Sequence, residues 1–198
     1  MNKEGKREIS IRLRIIFLVL LISLAMTKNV HSQSYSVKRQ SVNMKIEKGY
    51  FFVSGMYFIS GLADEKLSIT FPFPYGATYG EIDSLHIYDV IKSEFLVLEH
   101  RDRKSVRFSI EFDRTGEDLI QLYFRIKLLG NKAEYPFSKE EPANKIEKAC
   151  FYLIAPTDLE ASRFNYIPQD TIDAGLNVVY YWEFHDFSPN KDFEFRFR

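Results

Sequence analysis

From residue 42 onward the chain alternates apolar and polar residues with a period of two, and this alternation constrains the fold more than any motif. In VNMKIE, Val42, Met44 and Ile46 alternate with Asn43, Lys45 and Glu47. LSITFPF puts Leu67, Ile69, Phe71 and Phe73 on one side, and SVRFSIEF does the same with Val106, Phe108, Ile110 and Phe112. In LIQLYFRIKLL, Ile120, Leu122, Phe124, Ile126 and Leu128 oppose Gln121, Tyr123, Arg125 and Lys127. Successive side chains of a strand point to opposite faces, so each stretch reads as a strand with one face in a core and one in water. Antiparallel sheets produce that pattern, whereas parallel sheets buried on both faces do not. About nine such strands with short connections and little helix predict an all-β fold. The expected architecture is an antiparallel β-sandwich, immunoglobulin-like or jelly-roll-like.

Two stretches refine this reading. YFFVSGMYFIS, residues 50–60, is apolar on both faces: Phe51, Val53, Tyr57 and Ile59 on one, Phe52, Met56 and Phe58 on the other. It predicts a strand whose second face is also covered, with a contact surface as the alternative and Gly55 marking a bulge. The closing stretch, YYWEFHDFSPNKDFEFRFR, predicts a terminal hairpin. Val178, Tyr180, Trp182 and Phe184 share one face, Pro189 suits a type I turn, and Phe193, Phe195 and Phe197 alternate with Glu194, Arg196 and Arg198. Most of those rings are expected in the core.

The connections carry turn chemistry. RDRK (101–104) predicts a hairpin, and DRTGED (113–118) a turn built on Gly116. The latter lacks the ligand spacing and final glutamate of a calcium loop. GNKAEYPFSKEEPANKIEK (130–148) reads as a charged surface excursion, and TDLE (157–160) as the cap of a short helix.

The first residues read differently. Residues 1–14 are polar and basic, and Ile15–Met26 is a short apolar run followed by Val30-His31-Ser32. A spanning helix needs about 20 apolar residues, so this pattern predicts a secretory signal peptide over residues 1–32 and a single domain over 33–198. An uncleaved anchor is the alternative. The expected location is exported, in the periplasm or at the surface or exterior of a bacterium. Removal of the leader leaves 21 of 27 basic and 25 of 27 acidic residues, a net charge of −4. A mildly acidic chain has no general attraction to phosphate backbones, which argues against nucleic acid as a partner. Cys150 is the single cysteine, so no internal disulfide forms; within KACFYLIAP it is expected to pack as a small buried hydrophobe.

Catalytic signatures are missing. His86, His100 and His185 have no helical ligand spacing, and Glu183 with His185 makes at most a two-residue fragment, read as a solvated ion pair. There is no nucleophile elbow, Ser54 and Ser60 fall in an apolar strand, and Glu140-Glu141 lies in a charged segment. No phosphate-cradling glycine loop occurs. Catalytic residues, metal site and cofactor are therefore not assigned. In FPFPYG, Pro72 and Pro74 cannot donate to a ladder, so that strand must run at a sheet edge. The segment reads as a rigid strand exit or, alternatively, as a rim platform, with Phe73, Tyr75 and Tyr79 as the candidate ligand-binding residues.

The run ITFPFP, followed far downstream by YYWEFHDFSP, resembles exported bacterial β-sandwich domains of unknown function. Their shared elements are an early Phe-Pro-x-Pro and a late Trp-x-Phe-x-x-Phe-x-Pro. The resemblance implies the fold and the exported location and transfers no catalytic residue. The reading is an exported, non-catalytic interaction or structural module with an unidentified protein or glycan partner, touching a membrane only through the leader before cleavage. A carbohydrate- or small-ligand-binding module, a hydrolase and a small outer-membrane barrel are the alternatives.

Overall fold

A computed structural model describes residues 35–137, 145–159 and 161–198, the side chains of 161 and 162 excepted. The predicted leader, Glu140-Glu141 and Glu160 lie outside the described residues. The described residues begin with two long paired strands, β1 (Ser36–Glu47) and β2 (Tyr50–Ser60). Lys48 and Gly49, with φ of 50° and 76°, make the two-residue turn between them; two consecutive left-handed residues match the twist of a tight hairpin. Then follow β3 (Lys66–Pro72), β4 (Tyr79–Asp89), β5 (Glu94–Phe95), β6 (Leu98–Arg101), β7 (Ser105–Glu111), β8 (Glu117–Leu128) and β9 (Lys132–Tyr135). The last five are β10 (Ile146–Pro156), β11 (Ala161–Phe164), β12 (Asp170–Asp173), β13 (Asn177–Phe187) and β14 (Phe193–Phe197). No helix occurs among the described residues.

The fold is all-β, as the alternation predicts, and the extra strands beyond nine are mostly pieces of two to four residues. Among the described residues eight strands form one large sheet in the order β12-β13-β10-β1-β2-β8-β4-β5, beside two three-stranded sheets, β11-β14-β9 and β3-β7-β6. The large sheet ends in unjoined edges at β12 and β5, so it is open and not a closed barrel. Its pairings are antiparallel except at the centre, where β1 runs parallel to β10 from Arg39↔Lys148 to Lys45↔Ile154. A parallel neighbour needs a long crossover, and here the chain visits both small sheets before β10 returns beside β1.

Both small sheets pack on one face of the large one. Phe71 and Phe73 (Phe71 from β3) meet Phe124 of β8 at 6.2 and 5.3 Å between ring centroids. From β14, Phe195 meets Phe51 of β2 at 5.6 Å, and Phe193 stacks on Phe151 of β10 at 4.8 Å. Every alternating set named above keeps its phase: Val42, Met44, Ile46, Leu67, Ile69, Val106, Phe108, Ile110, Phe112, Ile120, Leu122, Phe124 and Ile126 are all buried. The proline-bearing strand β3 lies at a sheet edge, as its missing donors require.

Several local expectations change, among them the surface excursion over 130–148, where Lys132–Tyr135 forms β9 with Ala133 and Tyr135 buried. The closing stretch is not a hairpin, because β13 pairs with β10 and β12 of the large sheet while β14 pairs with β9 and β11. Its turn is an arch from one layer to the other, so the rings of the two strands face each other across the core. Trp182 meets Phe193 edge-on at 4.9 Å, and its indole N–H donates to the Tyr166 carbonyl at 2.9 Å. Gly55 is not a bulge, since the ladder runs unbroken through Val42↔Gly55. The Tyr57 ring leans back over it, and a Cβ there would collide with the Tyr57 hydroxyl. Phe52, Met56 and Phe58 are half-buried on the outer face, which no described layer covers. Cys150 also points outward, toward Glu183, while its neighbours Ala149 and Phe151 are fully buried.

Candidate functional site

The arrangement of layers leaves a gap where the two small sheets meet above one end of the large sheet. A cleft of about 330 Å³ opens there, near the small end of the roughly 300–1,000 Å³ range of ligand pockets. Its floor comes from Val37 and Gln40 of β1, Tyr57 and Ile59 of β2, and Ile120 and Leu122 of β8. One wall is Ile69, Phe71 and Phe108; the other is Tyr135–Phe137 with Pro189–Asp192 of the arch. The Asp192 carboxylate fixes the second wall by accepting the Phe137 N–H at 3.1 Å.

The lining mixes apolar residues with polar ones, among them Tyr35, Thr70, Asn190, Lys191 and Asp192, and two buried polar features stand out. The Tyr57 and Tyr135 hydroxyls bond to each other at 2.8 Å in a buried pair. Burial, reinforced by Tyr135, holds the Tyr57 phenol well above its ordinary pKa, and burial raises Tyr135 likewise. Both therefore stay protonated at neutral pH. Gln40 is 6% exposed, and its Nε2 has no hydrogen-bond partner. An unmet buried donor costs about 1–3 kcal/mol, so a fold that keeps one inside a cleft carries a specific cost. The tilt of Tyr57 over Gly55 carries its phenol along the strand, away from Gln40, its direct cross-strand neighbour.

Sequence reasoning missed Gln40, although the signal was present. It lies two residues before Val42, in phase with Val42, Met44 and Ile46, so the frame that buries them buries it too. The three rim candidates separate instead. Phe73 is 2% exposed among Phe71 and Phe124, and Tyr79 is 7% exposed. Burial, with Glu134 and Glu194 nearby, pushes the Tyr79 phenol far up. Tyr75 alone is exposed, with the Lys104 ammonium 5.0 Å from its ring centroid. The rigid strand exit describes this segment better than a platform of three rings.

The outer face of the large sheet holds a second polar cluster. Glu183 of β13 accepts from the Tyr181 hydroxyl, and its oxygens lie 3.1 Å from the Lys148 ammonium and 2.9 Å from His185 Nε2. These bonds, Tyr181 foremost and then Lys148 and His185, hold the Glu183 carboxyl at about 2 against an ordinary 4.5. Among the described residues no three His, Cys, Asp or Glu side chains are placed to hold a metal. Because the folded pKa is lowered, Glu183 favours the fold above about pH 4.5, and that contribution disappears as pH falls through about 2. Carbon-detected NMR titration should place the Glu183 midpoint near 2, and Lys148→Met should move it upward. A midpoint at the ordinary value in the intact protein would contradict the network.

No family model and no curated protein matches the chain. Solved structures do. A Legionella pneumophila protein, provisionally named a nutrient-binding protein, superposes with a TM-score of 0.60 at 11% identity, covering 83% of this chain and 67% of that one. The M1 zinc metallopeptidase of Deinococcus radiodurans superposes with a TM-score of 0.53 at 6% identity, over 83% of this chain and 43% of the peptidase. A variant of that peptidase bound to L-arginine gives 0.52 at 6% identity, over 82% and 42%. The chain thus spans less than half the length of the peptidases it matches. These likenesses define the class of fold, an open multi-sheet β-sandwich, and nothing of the chemistry.

Proposed function

We propose that the chain is a non-catalytic, exported binding module whose cleft takes a small, largely apolar ligand. The observation that carries this is the cleft itself: apolar rings and aliphatic side chains around a buried amide that the protein leaves unpaired. The Tyr57 and Tyr135 hydroxyls are protonated and bonded to each other, an arrangement suited to holding a ligand rather than activating one. The Legionella protein named for nutrient binding uses the same fold, which supports binding as a role without specifying what is bound.

N-phenyl-1-naphthylamine, whose fluorescence rises in apolar surroundings, tests the reading. The mature chain should bind one molecule of dye saturably, and Val37→Trp, which fills the cleft from a half-buried position on its floor, should abolish the signal. Absence of saturable binding, or binding indifferent to Val37→Trp, would refute the cleft as a site.

A second reading, an interaction surface for a protein partner, has its own observation. Phe52, Met56 and Phe58 form a half-exposed row on the outer face. The Arg39 guanidinium lies 5.3 Å from the Phe58 ring centroid, and that of Arg125 lies 5.0 Å from Tyr50. Such cation–π contacts hold the rings in place on the surface.

A further inference from the structure

We propose that the cleft recognises its ligand through one neutral carbonyl-type acceptor, a ketone, ester or amide oxygen, seated on the Gln40 amide. This deepens the cleft reading above and rests on it. Gln40 and Tyr57 are direct partners across β1 and β2, which places their Cβ atoms about 4.5–5.5 Å apart on one face. The unmet atom of Gln40 is Nε2, a donor. In the Tyr57–Tyr135 pair one hydroxyl donates to the other at 2.8 Å, so one O–H proton of the pair remains without an acceptor inside it. Both unmet demands among these buried polar atoms are donors, one on the floor and one in the Tyr57–Tyr135 pair, and a ligand answers them by bringing an acceptor.

The charge of that acceptor follows from the walls. Among the described residues Lys191 is the one lysine on the lining, and its ammonium already donates to the Asn165 carbonyl at 2.9 Å and sits 4.8 Å from the Tyr166 ring centroid. A carboxylate drawn into the cleft would lose its water with no uncommitted cation among those residues to replace it, a costly transfer. A carbonyl oxygen accepts the same hydrogen bonds without that cost. The apolar remainder of the ligand packs against Ile59, Ile69, Phe108 and Ile120.

Displacement of bound N-phenyl-1-naphthylamine by 2-nonanone, nonane and nonanoate tests the proposal on the intact protein, Gln40→Leu and Tyr135→Phe. In the intact protein 2-nonanone should compete roughly tenfold better than nonane, the worth of about one added hydrogen bond, and better than nonanoate. Gln40→Leu should lose the preference for the ketone over nonane. It should also melt at a higher temperature, because an orphan donor has been removed. Tyr135→Phe should keep part of the preference. Equal competition by ketone and nonane, or a preference that survives Gln40→Leu, overturns the Gln40 assignment while leaving the cleft reading intact. Tightest binding by nonanoate overturns the neutral acceptor. Failure of the dye itself to bind removes the cleft reading and this proposal together.

Discussion

Phe195→Ala is expected to cost about 3–5 kcal/mol, the range for removing a fully buried aromatic ring, whereas Arg196→Ala is expected to cost under about 0.5 kcal/mol. Phe195 is 1% exposed and sits in the middle strand of the β11-β14-β9 sheet, opposite Phe164 and Ala133. Its ring meets Phe51 at 5.6 Å and 69°, an edge-to-face contact across the two layers. The void left by truncation lies between sheets that are separately hydrogen-bonded, so neither can slide in to fill it without breaking its own ladder. Arg196 points the other way, toward water, with its guanidinium 3.1 Å from Glu194 in an exposed pair, and such pairs contribute little. Urea midpoints of the two variants decide the matter. A near-neutral Phe195→Ala would mean that the small sheet is not welded to the large one through this strand.

That pair of residues also shows what the sequence makes legible. The phase of FEFRF is readable because burial on one face and water on the other leave a period-two imprint that no other structure mimics. The same holds for β1, β3, β7 and β8. Period two says which face a residue takes, and nothing about which sheet the strand joins. FSPN announces a reversal equally well whether the two strands pair side by side or face each other across a core. The predicted hairpin over residues 178–197 becomes an arch for that reason. Cys150 shows a related limit. KACFYLIAP looks uniformly apolar, yet it alternates Ala149, Phe151 and Leu153 inward with Cys150 and Tyr152 outward, because Cys and Tyr are at home on either side.

The cleft was less legible still. It is made by residues from β1, β2, β3, β7, β8, β9, β10 and the arch, and its diagnostic group is a glutamine amide in the polar-looking run KRQSVN. Only the register with Val42 marks Gln40 as internal. Gly55 carried a recognisable signal of close approach, but the approaching group is a side chain of its own strand, Tyr57. A bulge and a ring resting on a glycine look alike from sequence.

Lys92→Met is expected to destabilise the fold by about 3 kcal/mol, the low end of the cost of breaking a buried ion pair, because the lysine keeps about a third of its surface in water. Its ammonium bridges two carboxylates: Asp89 at 2.7 Å, whose side chain is 0% exposed, and Asp118 at 2.9 Å, at 2%. Asp89 also accepts the Lys92 N–H at 2.8 Å, and Asp118 the Leu119 N–H at 2.8 Å, so the cluster ties the end of β4 to the start of β8. Removing the ammonium leaves two carboxylates inside the protein with no counter-charge. Burial raises the Asp118 carboxyl above its ordinary value even with Lys92 present. Its neutral form therefore favours the fold below about pH 4, the ordinary carboxyl value, and that contribution is lost as pH rises through the elevated folded value. Without Lys92 this dependence should strengthen, so that Lys92→Met recovers stability on mild acidification. Lys92 is itself raised: burial opposes its charge, but the hydrogen bonds to Asp89 and Asp118 outweigh that. Its contribution is complete below its ordinary value and is lost as pH rises through the folded one, an alkaline decline that the variant should lack. Adding Asp118→Asn to Lys92→Met should restore part of the lost stability, since one of the two stranded charges is gone. A Lys92→Met protein that unfolds at the same urea concentration as the intact chain from about pH 5 to pH 8, a span below the lysine's own titration range, would show that water already neutralises this cluster.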